Sequence, residues 1–204
     1  MVSLIRRLRE RDEGISMVEG LIVFPLVLLT IVTFVELGFA VFQWNQATKA
    51  VNIGARLAAV SDPVATTAAY AALADPVGSV AGSPPAVGAS VTCSGVAGAA
   101  ACDSAKIARL VRGSDGQCSP DIDGGVAGMC DVDRWISPDN VRVTYARAGL
   151  GYNGHPNGPV VTATVELEDL TFKFFLVGAL LGLDSIPIPA QPVTVTGEDM
   201  SSTQ

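Results

Sequence analysis

The feature that most constrains this chain is Leu21 to Phe42, LIVFPLVLLTIVTFVELGFAVF, a run of 22 residues whose only ionisable side chain is Glu36. At helical rise it reaches about 33 Å, the thickness of a hydrocarbon core. Just ahead of it stands Glu19, and a carboxylate at the mouth of a membrane helix is costly unless it finds a partner. The leader Met1 to Gly14 carries Arg6, Arg7, Arg9 and Arg11 against Glu10, Asp12 and Glu13.

Positive charge immediately before an apolar helix stays cytoplasmic, which predicts an inside N-terminus and an outside C-terminal part. After Trp44 come nine basic and fifteen acidic residues, a net charge of −6, with no basic patch. That composition argues against nucleic acid as a partner. A secretory signal peptide would have a shorter apolar core closed by a small-residue cleavage site. Here the sequence continues through Gln43, Trp44 and Asn45, and Trp44 falls where an indole anchors a helix at the outer interface.

All four cysteines, Cys93, Cys102, Cys118 and Cys130, lie in the external part. That placement suits disulfides in an oxidising compartment. With one histidine, His155, and no CxxC spacing, no metal and no cofactor is expected. Three pairings are open. Contact between sequence neighbours in short loops favours Cys93 with Cys102 and Cys118 with Cys130.

Helical character is expected from near Ile15 to Val60, because the first breaker other than Pro25 is Asp62-Pro63. Pro25 removes a backbone donor inside the membrane run. Glu36, near its outer end, suits either a lean toward interfacial water or a contact with another membrane subunit. Beyond Trp44 the small apolar residues Ala47, Val51, Gly54 and Ala58 form a thin stripe, fit to pack on the chain's own domain or on a second subunit. The division expected is therefore a leader 1–14, a helix 15–60 and an external domain 61–204 with a cysteine-bearing insertion at about 86–134.

Within that domain, TTAAYAALA after Val64-Ala65 reads as a short helix and DPVGSVAGSPPAVG as a loop without rigid packing. In the insertion only Ser104 to Val111 reads as regular structure. Alternation in Val141 to Tyr145 and Val160 to Leu167 predicts two half-buried strands in a long-looped antiparallel hairpin. Thr171 to Leu183 is apolar but too short to span, and reads as a core-packed helix or loop. Val193 to Val195 supplies a last strand. The fold class expected is α+β: a long N-terminal transmembrane helix continuing into a small extracytoplasmic domain with an antiparallel sheet.

Three motifs have plainer readings. Gly149-Leu150-Gly151-Tyr152-Asn153-Gly154 is a literal GxGxxG, but His155-Pro156 follows where a dinucleotide site needs a helix. Asp121, Asp123, Asp131 and Asp133 have the flavour of a calcium site, yet the third spaced ligand and the closing glutamate are missing. Asx turns account for them. His155 stands on a loop with no nucleophile motif beside it, so no catalytic residue is assigned.

The order Gly14, Glu19, Pro25, Glu36-Leu37-Gly38 and Gly54-Ala55-Arg56 resembles the N-terminal region of TadE-like proteins, the minor pilins or pseudopilins of the Tad (tight adherence, Flp pilus) system. The resemblance implies processing by a prepilin peptidase of the inner membrane after Gly14. Ile15 would be the new N-terminus, and its amine would pair with Glu19 of a neighbour. It also implies other pilins or pseudopilins and Tad secretion-system membrane components as partners, with the lipid bilayer as solvent. Isoleucine is not the commonest residue after the cut, and some related proteins keep their leader. The alternative is thus an uncleaved, membrane-anchored binding or scaffold protein of the cell envelope.

Overall fold

The computed structural model describes residues 2–96, 99, 101–119, 125–156, 158–174, 178, 182, 185–189, 191–197 and 200. The chain divides into two compact units, Met1–Phe42 with Phe172–Ile186, and Gln43–Thr171 with Pro187–Gln204.

Helix α1 runs from Val2 to Val60 without a break. It starts well before Ile15, where the sequence suggested. Residues 2–14 are rich in the helix formers leucine, arginine and glutamate. Within the apolar run, Thr30 donates to the Val27 carbonyl at 2.7 Å and Thr33 to the Leu29 carbonyl at 2.8 Å. Hydroxyls that bond back to their own helix need no water.

In the first unit, Phe172 packs against Phe39 with ring centroids 6.0 Å apart and edge-on to Phe174 at 5.0 Å. The stretch from Thr171 does not begin as the helix or loop expected. Thr171–Lys173 is strand β4, and it pairs with β5, Ser185–Pro187. Residues 175–177, 179–181, 183 and 184 of that stretch lie outside the described residues.

The second unit is built on a four-stranded antiparallel sheet in the order β1-β2-β3-β6, where β1 is Ser90–Ser94, β2 Val141–Ala146, β3 Thr162–Leu167 and β6 Val193–Thr196. β2 and β3 are the hairpin predicted by alternation, in register from Val141 opposite Leu167 to Ala146 opposite Thr162. Val91, Cys93, Val141, Val143, Tyr145, Ala163 and Val165 point into the core, as the period of two requires. On the open face the threonines pair across strands, Thr92 with Thr144 and Thr164 with Thr194.

The same core takes up Ala47, Ala50, Val51, Ala55 and Ala58 of α1. The small-residue stripe therefore packs on the chain's own domain, and short side chains let the helix backbone come close. A Cβ on Gly54 would lie 2.6 Å from the Met129 sulfur. Tyr145, fully buried, accepts at its hydroxyl from the Val64 amide at 3.2 Å and meets the Tyr70 ring edge-on. Burial pushes its phenol up to about 12, opposed by that hydrogen bond.

Short helices complete the unit: α2, Thr67–Tyr70, running into a 3-10 turn at Ala71–Leu73; α3, Ser104–Arg112; and α4, Met129–Val132. α3 is capped by Asp103, whose carboxylate accepts from the Ala105 and Lys106 amides. Regular structure in the stretch assigned to an insertion thus exceeds Ser104 to Val111, since β1 belongs to the main sheet and α4 lies in the core.

Candidate functional site

The residues singled out near the N-terminus all fall on α1. Ile15 and Glu19 are four apart, the spacing that puts two residues on one face of a helix. Glu19 is exposed, and so is the apolar surface that follows: Met17, Leu21, Phe24, Leu26 and Phe34 all stand open. Pro25 sits within the helix and leaves the Leu21 carbonyl without its usual amide donor. None of the most apolar 18-residue window is buried by the rest of the chain. The helix is long and apolar enough to cross a membrane once.

Glu36 differs from Glu19. It is 9 % exposed and engaged within the chain itself. Its burial in a single copy was not foreseen by either sequence reading, interfacial water or another subunit. Trp44, in the second unit, donates its indole N–H to the Pro189 carbonyl at 3.0 Å while its ring remains partly open. An indole with its donor satisfied and its ring exposed suits the membrane-water boundary.

The cysteines pair as Cys93 with Cys102 and Cys118 with Cys130, with Cα separations of 5.2 and 5.1 Å. The first bond fastens the 94–102 loop to edge strand β1; the second ties the chain after α3 to α4. Asp131 is part of that fastening. Its two carboxylate oxygens accept from the Ser119 amide at 2.8 Å and the Gly128 amide at 2.7 Å. Asp133 accepts from the Trp135 amide at 3.1 Å, and burial raises its carboxyl above the usual range. Asp133 thus makes the Asx-type contact expected of it, whereas Asp131 reaches back to the start of α4 and across to Ser119 instead of forming an Asx turn; Asp121 and Asp123 lie outside the described residues. Among the described residues no group of three or more histidine, cysteine or acidic side chains could hold a metal.

The glycines of the GxGxxG sequence take up turns in the β2 to β3 connection. Gly149, Gly151 and Gly154 all have φ near +78°, where glycine is favoured. His155 sits edge-on to Tyr152 at 5.3 Å in the same loop. What sequence reasoning missed here is a buried polar knot. Arg147, 4 % exposed, donates to Asp75 at 2.8 Å, to the Ala74 carbonyl at 2.8 Å and to Asn153 at 3.2 Å. Asn153, equally buried, donates to the Ser83 hydroxyl and the Pro84 carbonyl, while the Gly154 amide donates to Asp75. A signal existed: Arg147 continues the inward parity of Val141, Val143 and Tyr145, and a buried arginine requires acceptors.

A membrane-length helix whose C-terminal part enters the core of an α+β domain defines the class of protein. The TadE-like protein family model matches residues 14–56, from Gly14 to Arg56 in the second unit's part of α1. This is the family whose N-terminal pattern the sequence resembled. No curated protein matches the chain. No solved structure matches it either.

Proposed function

We propose that this chain is a TadE-like minor pilin or pseudopilin that helps to assemble or anchor a Tad/Flp type IV pilus. The observation that carries the reading is the family match beginning at Gly14, joined to a helix whose most apolar stretch is left open, with Glu19 four residues beyond Ile15. Cleavage after Gly14 by a prepilin peptidase frees the Ile15 amine. That cation pairs with Glu19 of a neighbouring subunit, which offsets the cost of holding a carboxylate among apolar helices. The exposed helix then exchanges lipid for a bundle of like helices. The chain sits in the inner membrane with its N-terminus cytoplasmic, and its external domain contacts other pilins or Tad membrane components. It binds and does no chemistry.

The test is a pair of variants. Gly14→Ala, or a bulkier residue there, leaves an unprocessed precursor, whereas Glu19→Ala is processed and fails to enter the assembly. Normal piliation in both would sink the roles assigned.

A second reading has one observation in its favour. α1 crosses Gly14 and Ile15 without interruption, and a helical peptide bond is a poor protease substrate until it opens locally. On that reading the leader is retained and the chain is a permanently anchored scaffold of the envelope.

A further inference from the structure

Between the end of α1 and helix α3 the second unit carries an open groove of about 410 Å³. Its lining is mainly aliphatic. Val64 and Leu110, almost wholly buried, form the floor, while Val60 and Val126 stand about half exposed at the rims. A concavity of this size, apolar with a few placed polar groups, has the make-up of a binding site. Its walls are fastened. The Asp103 amide donates to the Val64 carbonyl at 2.9 Å and Lys106 reaches the Pro63 carbonyl at 3.1 Å, which ties α3 to the chain leaving α1. On the far rim the Val126 amide donates to the Ser114 hydroxyl at 2.8 Å, and the Ser114 amide returns to the Val126 carbonyl at 3.0 Å. A ligand therefore meets a preformed groove and does not have to order it.

The groove's charge is opposite to that of the chain, which carries −7 overall. Helix α3 holds Lys106, Arg109 and Arg112 and no acid, and the first two of these line the groove. Arg56 stands exposed on α1 one turn before Val60, on the same face. Asp62, the one acid among the described lining residues, is already engaged within the chain. An anion that enters therefore meets cations on the α3 side and little that repels it.

We propose that this groove docks an acidic peptide segment of a partner protein. An aliphatic side chain enters between α1 and α3, and flanking carboxylates meet Arg109 and Lys106. The cations select an anion, and the apolar floor selects one that brings an aliphatic group with its charge. A lipid surface fits less well, because about 20 Å of helix separates Leu57 from Trp44, the residue at the membrane boundary. Docking here is independent of processing at Gly14.

Fluorescence anisotropy with the full chain in a neutral detergent tests it, the probe being a labelled pentapeptide that holds one leucine between paired glutamates. Wild type binds it saturably, and binding weakens as salt rises. Arg109→Glu and Lys106→Glu each raise the dissociation constant about tenfold or more. Val126→Asp at the apolar rim weakens binding as well, and so does serine in place of the peptide's leucine. Arg134→Glu, at an exposed cation outside the groove, leaves it unchanged. Arg109 is exposed, so its change does not confound docking with folding. Absence of saturable binding overturns the proposal. So does binding that Arg109→Glu leaves intact, equal binding of the serine peptide, which would be charge attraction alone, or a groove that takes laurate or a second copy of the chain and excludes the peptide.

Discussion

Arg147 and Asp75, 72 residues apart in sequence, form an ion pair at 2.8 Å in which the arginine side chain is 3 % exposed. Asp75 closes the knot by also accepting from the Gly154 amide at 2.7 Å. Asp75→Ala leaves a buried guanidinium short of its counter-charge. Removing one partner of a buried pair costs about 3–5 kcal/mol, and the partial exposure of Asp75 reduces this to about 2–3 kcal/mol. Denaturant unfolding of the detergent-solubilised chain reads the loss. A midpoint unchanged from wild type would show that the knot does not hold the loops.

Tyr145 gives the fold an alkaline limit. Its folded-state pKa, raised to about 12 by burial, exceeds the ordinary phenol value of 10.0. Below pH 10 the phenol is neutral whether the chain is folded or not, and stability is fully present. Between pH 10 and 12 the unfolded chain ionises first, and stability falls by about 2–3 kcal/mol. Tyr70, also raised by burial, adds in the same direction. Tyr145→Phe costs about 1 kcal/mol at neutral pH by leaving the Val64 amide without its acceptor, but flattens the alkaline fall. Thermal melts from pH 8 to 12 compare the two.

The disulfides close loops with sequence separations of 9 and 12 residues. In the chain-entropy picture each contributes about 3 kcal/mol by constraining the unfolded state. Non-reducing peptide mapping is expected to recover Cys93 linked to Cys102 and Cys118 linked to Cys130. Cys118→Ser with Cys130→Ser lowers stability and leaves the first bond intact. Recovery of crossed pairs would contradict the arrangement.

Gly128 marks the tightest backbone approach around α4. A Cβ there would lie 2.3 Å from both the Gly113 nitrogen and the Val111 oxygen, and backbone atoms cannot swing aside as a side chain does. Gly128→Ala therefore destabilises by about 3 kcal/mol. Gly54→Ala is milder, because the opposing atoms belong to the flexible Met129 side chain and alanine favours the helix. The order of the two melting temperatures decides the point.

Much of the fold was legible in the sequence. The apolar run carried the long helix, and alternation in Val141 to Tyr145 and Val160 to Leu167 carried the central hairpin. Other parts were hidden for physical reasons. Strand β1 is five residues set among glycine, serine and proline, so its period of two had little length in which to show. The stretch from Thr171 read as a helix or loop because periodicity cannot sort a short apolar run, and it begins as strand β4. The 75–88 loop looked unpacked because its partners, Arg147 and Asn153, are supplied from far along the chain. Glu19 and Glu36 look alike in sequence, and only the folded chain separates an exposed carboxylate from a buried one.

The central claim is that Gly14 is a processing site whose cleavage frees an amine for Glu19. N-terminal mass analysis of the protein from native membranes, in cells with and without the prepilin peptidase, tests it most directly. The account predicts an N-terminus at Ile15 that appears only when the peptidase is present. A chain that begins at Met1 in both cells would contradict it and leave the anchored scaffold in its place.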